Sequence, residues 1–236
     1  KTGHTFGGWS LIADGTAIES PYTMTGNVTL YAVWNINKYT LSFNANGAEG
    51  TAPPSSDNDY NSVVTLPTAG SLHKTGHSFS GWSETAEGEA VTEPYTMPLG
   101  GKTLYAVWTV NQYTITFVSD GSTVPAITQD YGTAITSPAA PTKTGYTFDE
   151  WSPALPNTMP AENILITAQW NVNQYTITFD TAGGSAVTSI PKDYGAAVTA
   201  PAAPTKEGYT FGGWSPALPA TMPANDVAVT AIWTIN

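Results

Sequence analysis

The eight tryptophans of this 236-residue chain fall into four pairs: Trp9 with Trp34, Trp82 with Trp108, Trp151 with Trp170, and Trp214 with Trp233. The first of each pair closes a stretch of the form Lys-x-Gly-[His/Tyr]-[Thr/Ser]-Phe-x-x-Trp, as in Lys206 to Trp214. The second ends a run of alternating apolar residues, as in Val227 to Trp233. Corresponding tryptophans recur every 62 to 74 residues, a period that means a tandem array of small similar domains. The spacing predicts the second half of an incomplete repeat at 1–36 and full repeats at 37–109, 110–171 and 172–236. A unit near 60 residues buries only about 60% of its unfolded surface, so each needs a dense core. One buried Trp removes roughly 150–250 Å² from water, on the order of 4–6 kcal/mol before entropy is counted.

A full unit opens with Tyr-Thr-x-x-Phe, at Tyr39, Tyr113 and Tyr175. Alternation there puts Tyr175, Ile177 and Phe179 on one face and Thr176 and Thr178 on the other, the pattern of a half-buried strand. Gly-rich turns follow at Asn46-Gly47, Asp120-Gly121 and Gly183-Gly184, then Asp-Tyr-[Gly/Asn] and a short β-branched run. The Pro-Ala-Ala-Pro segments at 138–141 and 201–204 are incompatible with helix interior or central strand and predict rigid loops. Phe211 and Trp214 stand three apart across Gly212-Gly213. Strict alternation would place the two rings on opposite faces, and a glycine bulge returns both to the core.

Every methionine (Met24, Met97, Met159, Met222) holds the same place just before the closing strand, and a core role is expected for all four. That strand's inward set is Val28, Leu30, Ala32 and Trp34 in the first copy, and Ile164, Ile166, Ala168 and Trp170 in the third. Four residues always separate the closing Trp from the next Tyr: Asn35 to Lys38, Thr109 to Gln112, Asn171 to Gln174. Repeat interiors vary instead, with 70, 58 and 59 residues from Tyr to Trp. Four residues span at most about 14 Å. Length is therefore constant where geometry between repeats is set, and an elongated semi-rigid array is expected.

The chain carries a net charge of −11, and its seven basic residues are all Lys. Without Arg there is no bidentate phosphate or guanine reader, and the field repels nucleic acid, so no nucleic-acid partner is expected. No apolar run approaches the roughly 20 residues of a membrane-spanning helix, so no membrane insertion is expected. With no cysteine there is no disulfide or thiolate site. Low charge with abundant Thr, Gly and Pro fits an exported all-β protein. Lys1 falls partway through a repeat, which predicts a segment of a longer protein.

Candidate chemistry is sparse. His4 and His77 occupy the slot filled by Tyr146 and Tyr209, and His73 with His77 lacks a third metal ligand. Gly100-Gly101-Lys102-Thr103 resembles the end of a phosphate loop, but Thr96 stands where the first glycine belongs and a strand follows. Asp57-Asn58-Asp59 lacks the twelve-residue calcium-loop pattern. No nucleophile elbow precedes a catalytic serine. We therefore expect no catalytic residues, no metal and no cofactor. Aromatic stacking on a sugar is the strongest binding option, and Tyr60, Tyr131 and Tyr194 of the Asp-Tyr-[Gly/Asn] turns are the candidate ligand-binding residues, expected to be exposed.

Tyr-Thr-Ile-Thr-Phe-Asp (175–180), Pro-Thr-Lys-Glu-Gly-Tyr-Thr-Phe-Gly-Gly-Trp (204–214) and Thr-Ala-Ile-Trp (230–233) together resemble the Listeria–Bacteroides repeat, the family that includes the internalin B-repeat. The resemblance covers essentially the whole chain. It implies a mainly β, ubiquitin- or SUMO-like β-grasp unit with its first and last strands parallel. It also implies a secreted or cell-wall setting. The Pro-rich segment lies where that fold would carry a helix, so the helix should be short or missing. The expectation that follows is a non-enzymatic stalk or spacer of an exported surface protein. The alternatives are an adhesive module for a glycan or surface protein and a strand-complemented fibre segment with head-to-tail self-association.

Overall fold

The computed structural model describes residues 1–236 and contains only strands, turns and loops. The chain divides into two compact units, Lys1–Gln112 and Tyr113–Asn236. The first holds β1 (His4–Ser10), β2 (Tyr31–Ile36), β3 (Lys38–Asn44), β4 (Ser56–Asp59), β5 (Val63–Val64), β6 (His77–Ser83), β7 (Tyr95–Thr96) and β8 (Lys102–Val110). The second holds β9 (Gln112–Val118), β10 (Ile127–Asp130), β11 (Tyr146–Ser152), β12 (Ile164–Val172), β13 (Gln174–Asp180), β14 (Ile190–Asp193), β15 (Tyr209–Ser215) and β16 (Val227–Ile235).

One plan recurs three times, in the sheets β4-β3-β8-β6, β10-β9-β12-β11 and β14-β13-β16-β15. The Tyr-Thr-x-x-Phe strand lies parallel to the closing strand, with Ile177 opposite Val227 and Phe179 opposite Val229. A parallel pair needs a long crossover, and the Pro-rich loop supplies it without a helix. The outer strands are antiparallel to this central pair. Period-two burial follows: Ile166 and Ala168 are buried on β12 while Leu165 and Thr167, which alternate with them, are exposed.

The expected bulge is present. Phe211 faces Trp233, the register then shifts, and Trp214 faces Ala231. Gly213 takes φ 115°, a region that costs a glycine little. In the third repeat Asp149 and Glu150 replace the glycines, and the same shift occurs between Phe148 and Trp151. The bulge is thus specified by pairing, with glycine easing it in the other copies.

Its effect is to put Phe and Trp on one side. Phe211 meets Trp214 at 5.2 Å and Trp233 at 5.6 Å between ring centroids, both edge-on, and Phe179 of the opening strand caps Trp214 at 4.9 Å. The second and third repeats build the same cluster from Phe43, Phe79, Trp82 and Trp108 and from Phe117, Phe148, Trp151 and Trp170. The indole N–H of Trp108, Trp170 and Trp233 donates to the carbonyls of Ala45, Ser119 and Thr181, stitching the closing strand to the turn after the opening strand. Met97, Met159 and Met222 are each 1% exposed beneath these clusters.

The first copy departs from expectation. Trp9 is 47% exposed, Trp34 39% and Met24 60%, and Val28 and Leu30 are exposed as well. The hairpin of β1 and β2 forms with the usual bulge between Phe6 and Gly8, but no opening strand covers its inner face. The inward set assigned to it is therefore inward in pattern only.

Two outcomes follow. Trp82→Ala should cost about 3–5 kcal/mol, whereas Trp9→Ala should cost about 1 kcal/mol or less, as measured by denaturant unfolding. The second concerns Tyr95, which is buried beside Glu84 and has its phenol pushed up to about 12, chiefly by burial and then by the Glu84 charge and hydrogen bond. The folded state therefore favours the neutral phenol. That stability is fully present below the ordinary value of 10.0 and is lost as pH rises from there through about 12. Tyr95→Phe should flatten this alkaline decline in denaturant titrations run at increasing pH.

Candidate functional site

The Lys-x-Gly-[His/Tyr] stretch folds as a tight turn in all four copies. His4, His77, Tyr146 and Tyr209 donate their N–H to the carbonyls of Lys1, Lys74, Lys143 and Lys206 at 2.9–3.1 Å. The glycine takes φ between 67° and 79° (Gly3, Gly76, Gly145, Gly208), as the third position of a type II turn requires. The Asp-Tyr-[Gly/Asn] segment is a second tight turn. Ser62, Thr133 and Ala196 donate back to Asp59, Asp130 and Asp193, and Asn61, Gly132 or Gly195 has positive φ. The tyrosine sits at the tip.

That tip is clamped to the core. Gly195 N–H donates to the Met222 carbonyl at 2.9 Å, and Met222 N–H donates to Ala196 at 2.9 Å. Met97 and Met159 hold the turns of Tyr60 and Tyr131 in the same way. Each methionine thus fills the core with its side chain and fixes a tyrosine turn with its backbone.

Within each unit, the two kinds of turn meet. Tyr194 lies with its ring against Gly145, so closely that a methyl group on that glycine would overlap the ring. Tyr60 lies against Gly3 in the same manner. Tyr146 meets Tyr194 edge-on at 5.8 Å between centroids. Both covered glycines are buried, whereas Gly208, with the same backbone conformation, is exposed and has nothing against it.

An asparagine closes each contact. Asn173 N–H donates to Gly145 at 2.9 Å, and its Oδ1 accepts from Thr147 Oγ1 at 2.6 Å, both on the repeat before it. Its carbonyl accepts from Tyr194 N–H at 2.8 Å, and its Nδ2 donates to Tyr175 Oη at 3.4 Å, both on the repeat after it. Asn37 repeats this with Gly3, Thr5, Tyr60 and Tyr39 at 2.9, 2.6, 2.8 and 3.4 Å. Asn111 and Asn236 bond to the repeat before them in the same way, to Gly76 and Ser78 and to Gly208 and Thr210.

The three tyrosines expected to be exposed are half-buried. Tyr60 and Tyr194 are brought into joints between repeats, and Tyr131 ends the β10 edge in the equivalent turn. The asparagines escaped the sequence reading, although the third residue after every closing Trp is Asn: 37, 111, 173 and 236. The histidines stay apart in chemistry. His73 faces Glu49 at 3.3 Å, and the His77 ring lies 2.8 Å from the Thr75 carbonyl. Lys143 instead pairs with Asp120 at 2.7 Å, over the rings of Tyr146 and Trp170, and holds that carboxyl below its usual range.

Comparison with known proteins agrees with the repeat plan. The Listeria-Bacteroides repeat domain matches at residues 1–33, 39–107, 113–169 and 175–230. A protein of Evansella cellulosilytica provisionally named as a Gly-rich membrane protein is 36% identical over 237 residues, covering 91% of this chain and 27% of the relative. A second from the same organism, provisionally named as a membrane protein, is 37% identical over 79% of this chain and 29% of its own length. Internalin H of Listeria monocytogenes is 37% identical over 52% of this chain and a quarter (25%) of its own length. The chain thus spans under a third of the curated relatives it matches.

Two glycines separate ring contact from backbone strain. Gly145→Ala and Gly208→Ala incur the same penalty of roughly 1 kcal/mol for positive φ. Only the first also displaces a tyrosine ring, which should add about 1–3 kcal/mol and speed amide exchange at Asn173 and Tyr194. Equal unfolding free energies for the two variants would show that the ring seat contributes nothing.

Proposed function

For a chain that belongs to the Listeria–Bacteroides repeat family, we propose the role of a non-enzymatic spacer, a stalk region of an exported surface protein whose repeats hold one another in fixed register. The observation that carries this reading is the asparagine clasp. It repeats with the same donors, acceptors and distances in both units, between repeats whose loops differ in length. A ligand-binding array needs variable surfaces alone, whereas a spacer needs constant joints. Setting the joints constant and the loops free is what a load-transmitting or distance-setting segment requires.

The surface location rests on the relatives. Two carry membrane-protein names and one is an internalin, and no helix of this chain is long and apolar enough to cross a membrane. Each full repeat is read as a β-grasp unit reduced to its sheet. The parallel central pair flanked by antiparallel strands supports this, with a Pro-rich crossover in place of the helix.

Small-angle scattering of the chain in solution should give an extended monomer, and Asn37→Ala with Asn173→Ala should broaden its distance distribution while each repeat keeps its tryptophan fluorescence. Saturable binding to a glycan array or to host-cell surface proteins, abolished by changes in the repeat loops, would replace the spacer reading with an adhesive one.

A further inference from the structure

The turn after the opening strand carries a chemical difference between the repeats. Asn46, Asp120 and Ala182 hold the same position, seven residues after the opening tyrosine, with φ of 52°, 48° and 46°. Asp120 pairs with Lys143. Asn46 does something else: its Nδ2 donates to the carbonyls of Ala86 at 2.6 Å and Ala106 at 3.0 Å. Residues 84–94 form an insertion that makes the run from Trp82 to Met97 longer than that from Trp151 to Met159. Ala106 lies in β8, and Ala86 lies in the Thr85–Gly88 turn of this insertion, so the amide ties that turn to the sheet, while Glu84 with Lys102 and Val91 with Trp82 hold the ends. Lys74, the counterpart of Lys143, lines the same cleft as Asn46, Ala86, Glu87 and Trp108.

Asn46 is also followed by Gly47, the one Asn-Gly step in the chain. Gly47 is exposed, and even a side chain placed on it would meet nothing within 4 Å. Glycine offers the least hindered backbone nitrogen for attack on a neighbouring side-chain amide. We propose that Asn46 is a self-modification site whose deamidation unfastens the 85–88 turn of the 84–94 insertion and hands the opening-strand turn to Lys74.

The chemistry is hydrolysis and needs only water and base. The Gly47 nitrogen, on losing its proton, bonds to Asn46 Cγ. The Cγ–Nδ2 bond breaks, and Nδ2 leaves as ammonia with the protons it gains. Water then opens the resulting five-membered imide. Opening at the side-chain carbonyl gives aspartate; opening at the main-chain carbonyl passes the chain through the β-carboxyl. No atom changes oxidation state. The reaction proceeds from the open state of the Ala86 and Ala106 hydrogen bonds, because the amide must turn toward Gly47.

The product loses the only donor of that side chain and gains a charge. A carboxylate facing two carbonyl oxygens has no bond to make there and is repelled by them. The third repeat shows the alternative: aspartate at this φ, paired with the lysine of the Lys-x-Gly turn. One repeat thus displays the end state that the other can reach.

The test incubates the full folded chain at neutral and mildly alkaline pH and maps the peptide containing Asn46 by mass spectrometry, with N46D as the reference. Asn46 should convert ahead of Asn157 and Asn163, faster as pH rises. N46D should be cut by a Glu-specific protease at Glu87 and Glu89 about tenfold faster than the native chain, the effect of losing two hydrogen bonds that hold the loop. N46A, which lacks both donor and charge, should be cut equally fast, and both variants should retain native tryptophan fluorescence as evidence of folding. Persistence of the Asn46 amide in the folded chain, or protease resistance of N46D equal to the native chain's, would overturn the proposal.

Discussion

The extra residue in the Phe-x-x-Trp strand is the constraint on which the rest of each repeat depends. A regular strand would send the two rings to opposite faces and leave one in water. The bulge forfeits a ladder position and in return gathers two tryptophans and two phenylalanines into one cluster of edge-on and tilted rings. A domain of this size with no disulfide and no helix has few other ways to build a core. The first copy separates the parts of this effect. Phe6 still meets Trp9 at 5.3 Å and Trp34 at 5.7 Å, so the ring geometry belongs to the hairpin itself. Burial belongs to the parallel strand that arrives from elsewhere in the repeat, and without it both indoles stay exposed.

From that core the order passes outward through the methionines. A side chain sealed under the ring cluster and a backbone bonded to the tyrosine turn make one rigid path from core to surface. The tyrosine ring then arrives at its glycine already oriented, so little conformational entropy remains to be lost when repeats dock. The asparagine adds what a ring on a glycine lacks, which is direction. All four of its polar groups are used, two toward each neighbour, so rotation about the short connection would break several bonds together. The strand-to-strand connection is short because Asn173 alone separates β12 from β13.

Much of this was legible in the residues. The strands, the bulge and the buried methionines follow from alternation, from Phe and Trp standing three apart, and from one residue type recurring at one place. Those signals are periodic, and burial leaves a periodic trace. The joint leaves only a recurrence, an Asn three residues after each closing Trp, with no alternation to say what it touches. Asn173 is a single polar residue at a strand end, where asparagine is unremarkable, and its meaning lies in partners on both sides that pattern alone does not bring together. Tyr194 misled for a related reason: a turn tip with an aromatic reads as exposed until the neighbouring repeat's glycine is placed against it. The exposed faces of the first copy were legible only in what residues 1–36 lack, the Tyr-Thr-x-x-Phe strand that covers the same faces in the other copies. The third repeat's bulge, built with Asp149 and Glu150, shows that the glycines elsewhere were a helpful sign and not the cause.

Comparison among copies separates what the architecture demands from what it merely tolerates. Positive φ after the opening strand is met by Asn46, Asp120 and Ala182 alike, so the backbone requirement leaves the side chain free. Each copy spends that freedom differently: on a loop, on a lysine, or on nothing beyond the turn. At the glycine beneath the tyrosine no such freedom exists, because any side chain would occupy the ring's place. A tandem protein can therefore vary chemistry inside its repeats while holding the contacts between them constant. The second repeat, where the Asn46 side chain reaches across to the 85–88 turn, is where that latitude has been taken furthest.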